Sequence, residues 1–425
     1  MANITPKTYR NQVLYSVFVR NYSEEGTFEA VRKDLGRIKA LGVDILWLMP
    51  IHPIGEKARK GTWGSPYAAK DFRAITPDFG TEEDLKRLVA SAHEKGMKVI
   101  MDIVYNHTAP DSWLAEHHPE WFYHKIDGSF GNKVGDWYDI IDLDYSQKGL
   151  WDYQIETLKY WACIVDGFRC DASPLIPLAF WERARQEVEA VRPGCIWLAE
   201  TVEPHFIRFL RSQGMTAHSD AEAFQVFDIS YEYDSYVVWR KYLQGEIPLS
   251  AYAEAMNWQE SVYPENYVKL RFLENHDRPR AHQNIPDEKM LRSWTAFLYF
   301  QKGMVMLFNG QEVSATHRPQ LFEKDPVDWE SGKDISALLR RLYEIKQDPL
   351  FADSAYDVQA LPRDVLFATH TKGEHKLLGW FSVRGETTTV KTDLPDGVYE
   401  NLLGGTVDIF EGSFGLTGEP VIIRA

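Results

Sequence analysis

Three acidic residues each close an apolar run. They are Asp171 in Gly167-Phe168-Arg169-Cys170-Asp171, Glu200 in Ile196-Trp197-Leu198-Ala199-Glu200, and Asp277 in Leu273-Glu274-Asn275-His276-Asp277. Carboxyl groups gathered in one place can break an acetal: one protonates the leaving oxygen, and another attacks the anomeric carbon or activates a water. The short, firmly held side chain of Asp171 suits attack. The longer Glu200 suits proton delivery, and Asp277 offers a third carboxylate to stabilise a cationic sugar. Crowded carboxylates repel, so at least one is expected to stay protonated near neutrality, and Glu200 is the one assigned. Arg169 stands two residues before Asp171, so the two side chains share a strand face, where a guanidinium holds the carboxylate ionised and oriented. Taken singly, each acid reads equally as a helix cap or an ion pair; their common position in like units argues against that. His107, in Asp102-Ile103-Val104-Tyr105-Asn106-His107, and His276 are placed to hydrogen-bond sugar hydroxyls. Their spacing is not that of a local zinc motif.

The elements that must position these groups alternate. Strand-like apolar runs fall at 13–19, 43–49, 98–104, 167–170, 195–199, 223–229, 268–273 and 304–308. Amphipathic helical stretches at 28–41, 82–95, 150–163, 177–191, 204–213, 249–259 and 289–301 separate them. Eight such units predict a (β/α)8 barrel over 1–107 and 149–350, with the acids at the C-terminal ends of its strands, where that architecture builds active sites. The stretch 108–148, rich in Asp, Gly, His, Trp and Tyr, is too long for a structureless loop and predicts an inserted domain. Trp113, Trp121 and Trp137 within it suit either subsite platforms or core anchors. From 351 to 425 short strand-like runs split by turns such as Leu394-Pro395-Asp396-Gly397 predict an antiparallel β-domain.

Composition sets limits. The formal net charge of −15 repels polyanions and excludes nucleic acid as a partner. The start of the chain lacks a signal-peptide pattern, and no apolar stretch reaches the ~18 residues of a membrane span. Three cysteines without a pairing pattern point to a reducing compartment, so the expected location is the cytoplasm. Aromatic residues make up 13% of the chain, enough to pack a core and still line a groove with platforms for sugar rings.

These motifs together resemble glycoside hydrolase family 13, the α-amylase family. The resemblance covers almost the whole chain, through the stretches ending in His107, Asp171 and Asp277, the one centred on Glu200, and three more. Those three are Trp63-Gly64-Ser65-Pro66-Tyr67, Ile140-Ile141-Asp142-Leu143-Asp144 and 303–312. It implies Asp171 as nucleophile, Glu200 as acid/base, Asp277 as transition-state stabiliser and Arg169 as the group positioning the nucleophile. It further implies that His107 and His276 bind sugar hydroxyls, that Tyr67 stacks on the sugar, and that Asp102 is structural support. Catalysis would be retaining and need no cofactor; a structural calcium would lie at Asn106 and Asp142, oxygen ligands suited to that hard cation.

The departures concern substrate. Pro174-Leu175 stand where many α-amylases carry Lys-His. Gly64 stands where exo-acting members often carry Asp, and its small size implies room for a longer chain. The expected activity is hydrolysis of α-1,4-glucosidic bonds in maltooligosaccharides, dextrins or starch, with an α-glucan as partner. The alternatives within the family are a 4-α-glucanotransferase, a cyclomaltodextrinase and an α-glucosidase. A non-catalytic, transporter-associated relative is disfavoured because all three acids are kept.

Overall fold

The computed structural model describes residues 4–135 and 137–425. Eight strands close into a parallel barrel: β1 (Val13–Val17), β2 (Ile45–Leu48), β3 (Lys98–Ile103), β4 (Gly167–Cys170), β5 (Ile196–Ala199), β6 (Ile229–Tyr231), β7 (Lys269–Arg271) and β8 (Met304–Phe308). Their order around the ring is β1-β8-β7-β6-β5-β4-β3-β2. All but the first residue of β3 are buried, as expected of parallel strands covered on both faces. Helices alternate with the strands and start where the side-chain chemistry dictates. Thr81, for example, accepts a hydrogen bond from the Asp84 N–H while Asp84 caps Thr81 in return, opening helix Glu82–Glu94.

The chain forms two compact units. The first comprises Leu14–Tyr231 with Arg318–Asp328. In it, Cys170 of β4 is in register with Ala199 of β5, and Asp102 of β3 with Arg169 of β4. Gly167 is needed for this close pairing, because a Cβ there would meet Ile196 O at 2.3 Å. Between β3 and β4 lie a two-stranded ribbon of His107–Thr108 against Ile141–Asp142 and a short helix, Trp113–His117.

The second unit comprises Ile4–Val13, Glu232–His317 and Trp329–Ala425. Besides β7 and β8 it holds the C-terminal strands β9 (Ala355–Leu361), β10 (Val365–Lys372), β11 (His375–Ser382), β12 (Thr388–Lys391), β13 (Gly397–Glu400), β14 (Thr406–Ile409), β15 (Ser413–Leu416) and β16 (Val421–Arg424). They form an antiparallel sheet β9-β10-β11-β16 and the pairs β12-β15 and β13-β14. Trp380, Phe414, Leu416 and Ile423 are buried in its core.

Two expectations from sequence are corrected, and one helix is added. The run 223–229 is not a strand: Ser219 and Glu222 form a capping box that starts helix Asp220–Ala223, and the strand begins only at Ile229. Helix Tyr233–Leu243 follows, which the apolar pattern did not separate from its surroundings. The seventh strand ends at Arg271, so Asp277 lies six residues past it, in a turn.

Candidate active site

Arg169 is the centre of the first unit's polar cluster. Its side chain is fully buried on β4, with Nη1 donating to Asp102 Oδ1 at 2.9 Å and to Asp171 Oδ1 at 2.7 Å. Nη2 lies 2.7 Å from Glu200 Oε1. The backbone makes this convergence unavoidable. Register sets Asp102 beside Arg169, and Asp171 and Glu200 each follow the last residue of neighbouring strands, with Glu200 N–H donating to Cys170 O at 3.0 Å. The rings of Trp47, Tyr67 and Tyr231 surround the guanidinium at 5.2, 5.6 and 5.7 Å. Such faces add cation–π attraction to a desolvated cation. This aromatic box was not foreseen, because Trp47 and Tyr231 lie in strands buried throughout, where no alternation marks the inward face.

One guanidinium faces three carboxyls among the described contacts, so the cluster cannot hold all three ionised at no cost. Burial pushes Asp102 well above the usual carboxylate range; Arg169 opposes this, while Asp171 and Glu200 reinforce it. The sequence expectation put the protonated member at Glu200; the structure adds Asp102, wholly enclosed, as a carboxyl that burial pushes up. Tyr67 Oη donates to Asp102 Oδ2 at 3.2 Å, tying this hidden carboxyl to a half-buried ring. Burial acts to lower Arg169, but Asp102 and Glu200 outweigh it and hold the guanidinium charged.

Ala172, next to Asp171, has φ 43°, a left-handed conformation that is costly for a residue with a Cβ. That turn aims its N–H at Glu200 Oε2, 2.8 Å away, and Ser173 Oγ donates to Glu200 O at 2.9 Å. Glu200 is thus gripped by the loop that carries Asp171.

His107 is buried beside Trp137, ring centroids 5.9 Å apart. Burial lowers its pKa against the pull of Asp142 and Asp139, so it is a neutral hydrogen-bonding group. Trp113 and Trp121 instead pack on Tyr153 of helix Lys148–Ala162, at 5.7 and 6.0 Å, and act as anchors. Asn106 and Asp142 meet through the ribbon, with Leu143 N–H donating to Asn106 O at 3.0 Å. Asp142 takes the Lys133 N–H at 2.7 Å on one oxygen, and its Oδ1 is buried without a hydrogen-bond partner. Calcium takes six to eight oxygens. Among the described residues no cluster of three or more acidic, His or Cys side chains is suited to a metal. The side-chain oxygens of Asn106 and Asp142 are the ones that would hold such a cation, and no step is routed through it.

Gly64 was assigned to substrate room. Its φ of 78° and the 2.7 Å approach of Ile54 Cγ2 to a Cβ built there show that the loop itself requires glycine.

In the second unit, Asp277 and His276 sit together, His276 Nε2 being 3.2 Å from Asp277 Oδ2. Asn275 Oδ1 accepts the Asp277 N–H at 2.9 Å, fixing the turn. The Asp277 side chain is 44% exposed, against 10% for Asp171 and 13% for Glu200. It is the acid most open to a ligand.

Comparisons with known proteins agree with this layout. The family model for the alpha amylase catalytic domain matches residues 12–141 and 117–355, and that for the bacterial alpha amylase C-terminal domain matches 357–423. An alpha-amylase from Lactobacillus plantarum superposes with a TM-score of 0.97 at 47% identity, covering 99% of this chain and 100% of that one. A noncanonic maltogenic alpha-amylase from Thermotoga neapolitana gives 0.87 at 32%, over 98% and 99%. The alpha-1,4-glucan:maltose-1-phosphate maltosyltransferase of Rhodospirillum rubrum is 34% identical over 59% of this chain, which spans only 36% of that protein.

Proposed function

Because the chain belongs to the α-amylase family, we propose that it cleaves α-1,4-glucosidic bonds in maltooligosaccharides, dextrins or starch with retention of anomeric configuration. The observation that carries this reading is the single Arg169 guanidinium bridging Asp171 and Glu200. A shared fork fits the roughly 5–5.5 Å separation of a retaining pair better than the wider gap of an inverting one.

In this reading Asp171 attacks the anomeric carbon, held ionised by Arg169. Glu200 protonates the glycosidic oxygen, then takes a proton from the water that breaks the glycosyl ester. The proton in excess belongs to the cluster as a whole, and Glu200 is the member with the longest side chain. Asp277 stabilises the cationic sugar, Tyr67 stacks on it, and His107 and His276 bind its hydroxyls. No cofactor enters. Three free thiols, one of them exposed, support a reducing compartment such as the cytoplasm as the working environment.

A second reading is favoured by the maltosyltransferase relative: transfer of the glycosyl group to another sugar. Both reactions share the covalent intermediate and differ in what resolves it. Chromatography of the products from maltopentaose separates them. Only shorter products are expected for a hydrolase; products longer than the substrate would replace hydrolysis by transfer.

A further inference from the structure

Asp171 and Glu200 each follow the last residue of a strand, but Asp277 does not. It sits on a turn past Arg271 with its side chain 44% exposed, so side chains must do the holding that a strand does elsewhere. Arg278 N–H closes the turn by donating to Asn275 O at 3.2 Å, and Asn275 Oδ1 accepts the Asp277 N–H at 2.9 Å. Both ends of this turn lead to Tyr233, a buried residue that opens helix Tyr233–Leu243. Its Oη accepts from Asn275 Nδ2 at 3.1 Å. Asn275 Oδ1 must face the Asp277 N–H, so Nδ2 must face Tyr233, and the hydroxyl fixes which way round the buried amide sits. On the other side, Arg278 Cζ lies 4.8 Å from the centroid of the Tyr233 ring and 5.5 Å from that of Tyr236, one helical turn on. Phe272, just past β7, meets the Tyr233 ring edge-on at 5.5 Å and holds its plane.

We infer that Tyr233 is the positioning residue of Asp277: its hydroxyl, through Asn275, and its ring, through Arg278, hold the turn that presents this carboxylate. This rests on the glycosidase reading above and gives the third acid the support that strand ends give the other two. The sugar gains positive charge only on the way to the transition state. A displaced Asp277 therefore costs rate and leaves the binding of neutral substrate nearly unchanged. Without the hydroxyl, the buried Asn275 amide loses its acceptor, and the turn shifts to find another.

The test measures kcat and KM on maltopentaose for Tyr233→Phe, alone and in an Asp277→Asn background. Alone, loss of the hydroxyl is expected to lower kcat about tenfold and to hold KM within about threefold. In the Asp277→Asn background it is expected to lower kcat less than about twofold, because no charge remains to be placed. A hydroxyl that only supported the fold would lower both alike. Arg278→Met, at a half-buried site, tests the ring contact and is expected to lower kcat about threefold, again only while Asp277 is present. An unchanged kcat in either single variant, or an equal loss in both backgrounds, overturns the inference while glucan cleavage persists. A wild type that cleaves no glucan, or an Asp277→Asn variant with full activity, overturns the glycosidase reading of this acid instead.

Discussion

Arg169 and Arg271 make an instructive pair. Both are wholly buried, both lie on barrel strands, and both hold carboxylates. Arg271 faces one carboxylate, Glu232, at 3.1 Å, and spends its other donors on neutral acceptors, Gln259 Oε1 at 2.8 Å and Lys302 O at 2.8 and 2.9 Å. Among the described contacts, Lys269 pairs with Asp234 at 3.1 Å and Arg280 with Glu274 at 2.6 Å. Around Arg169, by contrast, three carboxyls lie within ion-pair distance of one guanidinium. A balanced pair is a strut. An excess of buried acid is a stored tension that the fold tolerates only where protons and charge must move.

The comparison can be broken at either arginine's partners. The largest effect is expected from Asp171→Asn. It should lower kcat on maltopentaose on the order of 10³-fold or more, because no nucleophile remains, with the thermal unfolding midpoint kept. Next, Arg271→Met strands Glu232 as a buried, uncompensated charge. It should cost about 3–5 kcal/mol in urea unfolding while kcat of the folded fraction stays within a few-fold. If Arg271→Met abolished catalysis instead, the division into strut and working centre would fail.

Two smaller effects concern pH, with opposite signs in the two units. His370 is buried between Phe300 O and Ser354 Oγ, and burial pushes it down to about 3. Its folded value lies below the unfolded one near 6.5, so its contribution is full above pH 6.5 and lost as pH falls towards 3. Wild type should lose about 2 kcal/mol between pH 6.5 and 5 that a His370→Gln variant does not lose, read by urea melts. Asp102 behaves the other way. Its folded value is raised, so its ionisation penalises the fold as pH climbs from the ordinary aspartate value through the raised one. Asp102→Asn removes that penalty, so its stability relative to wild type should increase from pH 4 upwards, read by the same urea melts. A difference that shrinks as pH rises would show that Asp102 is not the strained acid.

The barrel was legible because its strands are buried on both faces, so apolar runs such as Met304–Phe308 coincide with the strand itself. The stretches that ended in Asp171 and Glu200 were legible for the same reason. What was not legible depends on partners distant in sequence. After Arg271 the ladder stops where a side-chain carboxylate takes over the next amide: Glu232 accepts the Phe272 N–H at 2.7 Å. No local pattern announces that, and Asp277 was therefore set too close to its strand. The helix at Asp220 is a different case, since Ser219 and Glu222 stand at capping-box spacing and were passed over for an apolar run. The full enclosure of Asp102 also needs three dimensions, since sequence shows crowding of acids but not which one lacks water.

The central claim is that Asp171 is the nucleophile. Incubation with a ring-fluorinated α-glucosyl fluoride, which slows turnover of the glycosyl-enzyme, followed by peptide mass spectrometry, tests it most directly. The account predicts one glycosyl adduct, on the peptide carrying Asp171. An adduct on Glu200 or Asp277 would contradict it.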